Sequence, residues 1–259
     1  MTAPRARALI EIVRARRGRL ELVGEHARRL ARSAARVGFG EPLDGDAIER
    51  AIDSEWRRRG AGEGLLRLRL DARGLAVEAA VAPPFDAETL AAGIGLVLVP
   101  EPAVRGAPPQ EPGDLKWDDP ERAAHSRERA AARGAGDGLR VDRDDRVLGT
   151  SSTNLFVVTG GGLVTPPAAE GAFPGIARAA VLRASRDLGI PAREATVRRD
   201  DVEAAHDAFL VASACGILSV RSIEGRRLEP PPAGTDARGL VPRLRLRVHE
   251  LCRERRLPD

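Results

Sequence analysis

The amino-acid sequence predicts an α+β protein with two domains. Helix-like and strand-like patterns follow one another without a regular βαβ alternation, which is typical of α+β folds. A proline-rich and glycine-rich stretch interrupts these patterns and indicates a linker. A chain of 259 residues is long enough for two modest cores. We therefore expect a smaller domain over residues 1–104, a linker over 105–115 and a larger domain over 116–259.

In the first domain, alternating apolar residues predict strands, and apolar residues at steps of three and four predict helices. The predicted strands cover residues 7–14, 20–22, 65–70, 75–81 and 95–99, and the predicted helices cover 24–37 and 45–59. Gly60 ends the second of these helices, because glycine is common just beyond a helix end.

The second domain shows the same mixture of patterns. Its predicted strands cover residues 139–142, 155–158, 163–165, 195–197, 208–212 and 217–223, and its predicted helices cover 119–133, 176–188 and 237–256. The middle helix has clear ends, since Pro174 stands at its start and Gly189 follows it.

Composition excludes several classes of function. The net charge of +4 comes from 42 basic and 38 acidic residues that are interleaved, and aromatic residues make up only 3%, so a nucleic-acid partner is not expected. Two distant cysteines and four scattered histidines predict neither a disulfide framework nor a metal site. No apolar run is long enough for a membrane span. We expect a cytoplasmic protein without a membrane partner.

Three short segments stand out for their chemistry. Lys116 is the only lysine among 42 basic residues, and arginine cannot replace lysine in imine chemistry, although a stray surface lysine is the simple alternative. Residues 149–156 place small hydroxyl residues before an apolar strand, which by itself indicates only a local turn. Residues 173–178 form a Pro-Gly helix start, which can hold an anion on its backbone N–H groups but usually binds nothing.

These three segments, in this order, resemble the class IV aminotransferases, and within them most closely the 4-amino-4-deoxychorismate lyases. The resemblance also covers residues 9–13 and 25–30 near the start and 207–216 near the end. It implies the two-domain α+β fold of fold type IV, as in D-amino-acid and branched-chain aminotransferases, with a shortened N-terminus. It also implies pyridoxal 5'-phosphate (PLP) as cofactor, a small anionic amino substrate and a homodimer.

The resemblance assigns roles to individual residues. Lys116 matches the catalytic lysine that forms the Schiff base with PLP. The implied cofactor-binding residues are Lys116, Ser152, Asn154, Gly175, Ile176, Ala177 and Ser213. For a lyase, the implied reaction is the elimination of pyruvate from aminodeoxychorismate to give 4-aminobenzoate, and for an aminotransferase it is amino transfer.

The sequence also departs from the family pattern. Gly149 stands where the family has the glutamate that pairs with the pyridine nitrogen, and Ala177 stands where it has a threonine that donates to the phosphate. The family's phosphate-binding arginine lies upstream of the first matched strand. These losses leave two alternatives open: a cofactor-independent enzyme acting on a chorismate-like anion, and a non-catalytic partner. If the turn accepts a side chain, Gly149→Glu should tighten PLP binding.

Overall fold

The computed structural model describes residues 8–39, 43–79, 85–101, 115–160, 162–229 and 239–257. These residues form two compact units. The first unit comprises 8–39, 43–79, 115–118 and 250–257, and the second comprises 85–101, 119–160, 162–229 and 239–249. None of the helices in these ranges is long and apolar enough to cross a bilayer.

The first unit is a four-stranded antiparallel sheet with two helices. Its elements are β1 (Leu9–Arg16), β2 (Arg19–Leu20), α1 (Val23–Val37), α2 (Gly45–Arg58), β3 (Gly64–Asp71) and β4 (Gly74–Ala79). The strand order is β2-β1-β3-β4. Residues of β1 alternate between buried and half-buried, and the buried ones pack with apolar side chains of α1 and α2 in one core. These elements confirm the predicted helices and strands of this region, with small shifts at their ends.

Residues 115–118 belong to the first unit, although the predicted boundary assigned Lys116 to the larger domain. The Ile10 amide donates to the Lys116 carbonyl at 2.8 Å, and the Asp118 amide donates to the Ala8 carbonyl at 2.8 Å. The Trp117 side chain packs against the first core and meets the Phe39 ring edge-on at 6.0 Å. The division of the chain therefore differs from the predicted one at two places. Residues 115–118 pair with a strand far earlier in the sequence, and residues 94–100, predicted in the smaller domain, pair with strands of the second unit.

The second unit is built on a mixed sheet of eight strands. Its elements are α3 (Ala87–Ala92), β5 (Ile94–Pro100), α4 (Pro120–Ala131), β6 (Asp137–Val141), β7 (Asn154–Thr159), β8 (Gly162–Thr165), α5 (Ile176–Asp187), β9 (Ala192–Glu194), α6 (Arg199–Glu203), β10 (Asp207–Ala212), β11 (Gly216–Ile223), β12 (Arg226–Arg227) and α7 (Leu240–Cys252), whose last turn is grouped with the first unit. The strand order is β6-β5-β11-β10-β7-β8-β9, with β12 beside β11.

Four elements of the second unit differ from the prediction, and one of them is the unpredicted two-residue strand β12. The helices α3 and α6 were not predicted, because five or six residues are too few to show a helical period. The first of them is fixed locally by Asp86, whose carboxylate accepts from the Thr89 amide at 2.7 Å. The strand predicted at 195–197 lies instead at 192–194, and Val197 only accepts an isolated bond from the Val147 amide at 2.7 Å.

Candidate functional site

Lys116 lies half-buried beside the start of β1 in the first unit. Among the residues that the structure describes, its amine has no hydrogen-bond or ion-pair partner. Burial lowers the pKa of Lys116 to about 8; the carboxylate of Glu11 opposes this shift, and the guanidinium groups of Arg29 and Arg67 add to it. An amine with this pKa is about half neutral at pH 8 and can then act as a nucleophile.

A buried charge cluster, Glu11 with Arg29 and His26, lies close to this lysine. Arg29 donates to both carboxylate oxygens of Glu11 at 2.6 and 2.7 Å, and His26 Nδ1 lies 2.8 Å from Glu11 Oε2. Burial alone would raise the pKa of Glu11, but Arg29 and His26 hold that pKa below its usual value. Burial lowers the pKa of His26. The cluster therefore contains an ionised Glu11 and Arg29 beside a neutral histidine.

In the second unit, the residues before β7 form a turn rich in hydroxyl groups: Thr150, Ser151, Ser152 and Thr153, here called the hydroxyl turn. The Thr150 and Thr153 hydroxyls bond each other at 2.9 Å, and the Thr150 hydroxyl also accepts from the Ser152 amide at 3.2 Å. Ser152 is exposed, whereas the Ser151 oxygen is buried without a partner among the described residues. The two threonines thus close the turn, and the two serines are left for other contacts.

Gly149 is required by the geometry of this turn. Its φ is +101°, and a Cβ at this position would lie 2.6 Å from the Thr153 carbonyl oxygen. That oxygen accepts from the Thr150 amide at 3.1 Å, so the backbone cannot easily move away. No side chain fits at residue 149. The condition attached to the Gly149→Glu prediction, that the turn accepts a side chain, is therefore not met.

Asn154 and Gly175 are in direct contact. The Asn154 amide nitrogen donates to the Phe173 carbonyl at 2.6 Å, which fixes the loop before α5. A Cβ on Gly175 would lie 2.2 Å from Asn154 Oδ1. Gly175 has an ordinary φ of −69°, so glycine is needed here for the close approach and not for the backbone conformation. Asn154 thereby holds the start of α5 against the start of β7.

The first turn of α5 is suited to an anion. It contains no acidic residue, and Gly175 supplies no side-chain cap. The first backbone N–H groups of a helix, here those of Ile176 and Ala177, have no intrahelical acceptor, and the helix dipole favours negative charge beside them. Arg178 is engaged elsewhere, since its guanidinium pairs with Glu194 at 2.9 Å and donates to the Pro166 carbonyl at 2.9 Å.

Ser213 lies in the turn between β10 and β11, at the same end of the sheet as the hydroxyl turn. The register places Val211 opposite Asn154, which brings residues 213–215 alongside the residues before β7. Six of the predicted site residues lie in the second unit: Ser152, Asn154, Gly175, Ile176, Ala177 and Ser213. The seventh, Lys116, belongs to the first unit.

Sequence reasoning missed two parts of this arrangement. The charge cluster had a signal, because Glu11 alternates with Leu9 and Val13 on the buried face of β1 and therefore required a buried partner. The distinction between Ser151 and Ser152 had no such signal, since it depends on which hydroxyl the fold buries. Within the described residues, no group of three or more histidine, cysteine, aspartate or glutamate side chains could hold a metal ion.

The fold and these residues define a two-unit α+β protein with a half-buried lysine and a helix start without acidic residues or a side-chain cap. The class IV aminotransferase family matches residues 8–223, and the chain therefore belongs to this family. The branched-chain-amino-acid aminotransferase of Escherichia coli K12 is 34% identical over 96 residues, which are 37% of this chain and only 31% of that relative.

Solved structures support the same fold. A crystal structure of the Escherichia coli branched-chain aminotransferase superposes with a TM-score of 0.79 at 21% identity, covering 96% of this chain and 86% of the other. A Legionella pneumophila protein that carries a provisional assignment as a 4-amino-4-deoxychorismate lyase superposes with a TM-score of 0.79 at 19% identity, covering 95% and 91%. At these identities the likeness establishes the fold and not the substrate.

The class IV aminotransferase family is PLP-dependent. Each unit, taken by itself, holds donor groups of a kind that this cofactor requires. Lys116 offers an amine of lowered pKa, and the first turn of α5 offers backbone N–H groups for a phosphate. Ala177 offers no hydroxyl to that phosphate, and Gly149 has no room for an acid. The hydroxyl turn offers further polar side chains in the second unit.

Proposed function

We propose that this protein binds PLP and acts on a small anionic amino compound, either by amino transfer or by elimination. The observation that carries this proposal is the state of Lys116. The only lysine of the chain is half-buried, and its pKa is lowered to about 8. A surface lysine would keep a pKa above 10 and would be protonated at physiological pH.

The proposed role of Lys116 is covalent attachment of the cofactor and proton transfer. When bound, PLP supplies an aldehyde that condenses with amines and a ring that withdraws electrons from the neighbouring carbon. The neutral form of the Lys116 amine would hold the cofactor, and the same amine, when not bound to it, would take and return a proton. The negative charge of Glu11 opposes the fall of the lysine pKa and so keeps the amine basic enough to accept a proton.

The proposed phosphate contacts lie in the second unit. The backbone N–H groups of Ile176 and Ala177 would donate to phosphate oxygens, and the absence of an acidic residue in the first turn of α5 favours this. Gly175 leaves space beside them, and Asn154 fixes the loop through its bond to the Phe173 carbonyl at 2.6 Å. The Ser152 and Ser213 hydroxyls are further donors. A homodimer, usual in this family, is part of the proposal.

A cofactor-independent activity is the second candidate. It is favoured by Gly149, where a Cβ would lie 2.6 Å from the Thr153 carbonyl, because a carboxylate for the PLP ring cannot be placed there. The same helix start would then hold a carboxylate of the substrate, and Lys116 would serve as an acid, a base or a charge anchor. The two candidates differ in whether Lys116 reacts with PLP.

Reduction of a PLP adduct tests the proposal. The full-length protein is incubated with PLP at pH values from 6 to 10 and reduced with borohydride, and the modified residue is identified by mass spectrometry. We expect adduct formation at Lys116 with a half-maximum near the lysine pKa of about 8. Because the chain has one lysine, the only other reactive amine is the N-terminus, which lies on a different peptide.

Two variants make this experiment decisive. Lys116→Arg keeps a positive charge but cannot form the adduct, and Lys116→Ala removes both charge and adduct. The proposal would be supported by PLP absorbance and an adduct at residue 116 in the parent, and by the absence of an adduct at residue 116 in both variants. No adduct at Lys116 in the parent at any pH would refute the proposal and leave the cofactor-independent candidate.

A further inference from the structure

The second unit contains a cavity that is separate from the candidate site residues, here called the strand-end cavity. Its volume is about 660 Å³, which is ordinary for a site that binds a small molecule. Three apolar residues, here called the apolar wall, line one side of it: Leu98, Pro100 and Ile223. Leu98 and Ile223 are buried, and Pro100 is exposed. The strand-end cavity therefore offers an apolar surface to a small organic molecule.

The position of the strand-end cavity follows from the direction of two neighbouring strands. β5 and β11 run parallel, and Pro100 and Ile223 are their last residues. In open sheets, ligands commonly bind in the crevice outside the carboxyl ends of parallel strands. Ser213 lies in the turn before the other end of β11, and a strand of eight residues is roughly 20 Å long. The cavity is thus at the opposite end of β11 from Ser213.

A tight hairpin forms another side of the cavity. Glu224 and Gly225 connect β11 to β12 with φ angles of +52° and +77°, the left-handed conformation of a two-residue hairpin turn. The Glu224 carboxylate accepts from the Leu98 amide at 2.5 Å and pairs with Arg133. The turn therefore ties the ends of the two strands together, and the charge of Glu224 is already compensated. Arg226, the next residue, also lines the cavity.

Arg226 is held in place but is not paired with an acid. Its Nη2 group donates to the Ala205 carbonyl at 2.7 Å, and no carboxylate in the described part of the chain forms an ion pair with it. A guanidinium has five N–H donors, so most of them remain for a ligand. A carboxylate matches the planar fork of these donors and can accept two hydrogen bonds from it. Arg226 is therefore the group of this cavity that is suited to an anion.

The other charges of the cavity limit the ligand to a single negative charge. Arg199 is shared by two carboxylates, since it pairs with Asp145 at 3.2 Å and lies 3.8 Å from Glu203. Glu203 lines the cavity, so one carboxylate is in excess beside Arg199. This excess negative charge and the positive charge of Arg226 leave the cavity close to neutral. A dianion such as phosphate is therefore disfavoured relative to a monoanion.

We propose that the strand-end cavity binds a small monocarboxylate with an apolar body. The carboxylate pairs with the Arg226 guanidinium, and the body covers the apolar wall. Burial of the body adds a hydrophobic contribution, which an exposed ion pair by itself lacks. This inference goes beyond the proposed function and does not depend on it, because the described residues that line the cavity include neither Lys116 nor the first turn of α5.

Amide NMR of the ¹⁵N-labelled full-length protein tests this site. The probes are hexanoate, its neutral amide hexanamide, and inorganic phosphate, each titrated at constant ionic strength. We expect hexanoate to shift the amide signals of Leu98 and Gly225, with an affinity about 10-fold above that of hexanamide, which lacks the charge. Phosphate should bind more weakly there than hexanoate. Shifts confined to Ile176 and Ala177 would place hexanoate at the start of α5 and overturn the proposal.

Two substitutions should change hexanoate binding in opposite directions. Arg226→Gln removes the unpaired guanidinium and should weaken binding about 10-fold. Glu203→Gln removes the excess carboxylate and should tighten binding about 2- to 3-fold, a small effect because Glu203 is exposed. Arg227→Gln is the matched control, since Arg227 is the next residue, is equally classed as exposed and does not line the cavity. It should bind hexanoate as the parent does.

The outcomes decide between this ligand and its alternatives. If Arg226→Gln binds hexanoate as tightly as Arg227→Gln, the role of Arg226 is overturned. If 2-aminohexanoate, which adds an amine to hexanoate, binds more tightly than hexanoate and loses that gain in Glu203→Gln, the ligand is a zwitterion and the monocarboxylate class is wrong. Neither result affects the proposed function, which is tested separately by the PLP adduct at Lys116.

Discussion

The polar groups at the candidate site residues of the two units differ in charge. The first unit buries full charges, and Glu11 is kept ionised by Arg29 and His26 at 2.6–2.8 Å. The second unit offers neutral groups, namely the N–H groups at the start of α5 and the hydroxyls of the turn before β7. An unpaired buried charge costs far more free energy than an unpaired neutral donor, so buried charges require partners within the protein, whereas neutral donors can remain available to a ligand.

This difference bears on the proposed cofactor site. In the first unit the charges of Glu11 and Arg29 are already paired with each other. Their effect on Lys116 is electrostatic, since Glu11 raises and Arg29 lowers the pKa of its amine. In the second unit the described partners leave Ser151 unsatisfied, and the helix start carries no acid. We therefore expect the paired charge cluster to contribute to stability and to the pKa of Lys116, and the donors of the second unit to contribute to ligand binding.

The largest expected effect is on the charge cluster. Glu11→Gln removes the negative charge that both Arg29 and His26 contact, and leaves a guanidinium buried without its counter-ion. We expect a loss of about 3–5 kcal/mol in the free energy of unfolding, measured by urea denaturation. The control is Asp46→Asn, which removes an exposed ion pair with Arg256 and should leave the urea midpoint nearly unchanged. Equal midpoints for both variants would contradict the comparison.

The next effect concerns Gly149 in the second unit. Gly149→Ala combines a left-handed φ of +101° with a clash at 2.6 Å from the Thr153 carbonyl, and should cost about 2–4 kcal/mol of unfolding free energy. Gly149→Glu should cost as much and should not tighten PLP binding. Gly171→Ala is the matched control, since Gly171 has a φ of +97° but its Cβ would meet nothing closer than 3.6 Å. Its cost isolates the backbone strain from the clash.

The smallest effect is expected at the start of α5. Gly175→Ala forces the Asn154 side chain away from its bond with the Phe173 carbonyl, and should cost about 1–2 kcal/mol, measured by thermal or urea unfolding. In the double variant with Asn154→Ala the two losses should not add, because the clash is gone. Gly160→Ala, with no atom within 4 Å of the added Cβ, is the control. Additive losses would show that the two residues are not in contact.

Much of the fold could be predicted from the sequence because its signals are local. The periods of α1 and α5, the alternation of β1 and the apolar strand β7 are each visible within about ten to fifteen residues. The family resemblance rests on short motifs, and the match over residues 8–223 confirms it. The choice of Lys116 also came from the sequence, since a single lysine among 42 basic residues stands out without any structure.

The tertiary structure decided what these residues touch. The sequence could not show that residues 115–118 pair with the start of β1, because strand partners are set by long-range hydrogen bonds such as that from the Ile10 amide to the Lys116 carbonyl. Nor could it show that Gly149 faces the Thr153 carbonyl or that Gly175 faces Asn154, since such clashes depend on backbone positions and not on composition. The sequence by itself determined the elements, the family and the candidate lysine. The tertiary structure determined the ionisation of Lys116 and the donors left free in the hydroxyl turn, because burial and pairing arise only when distant segments meet.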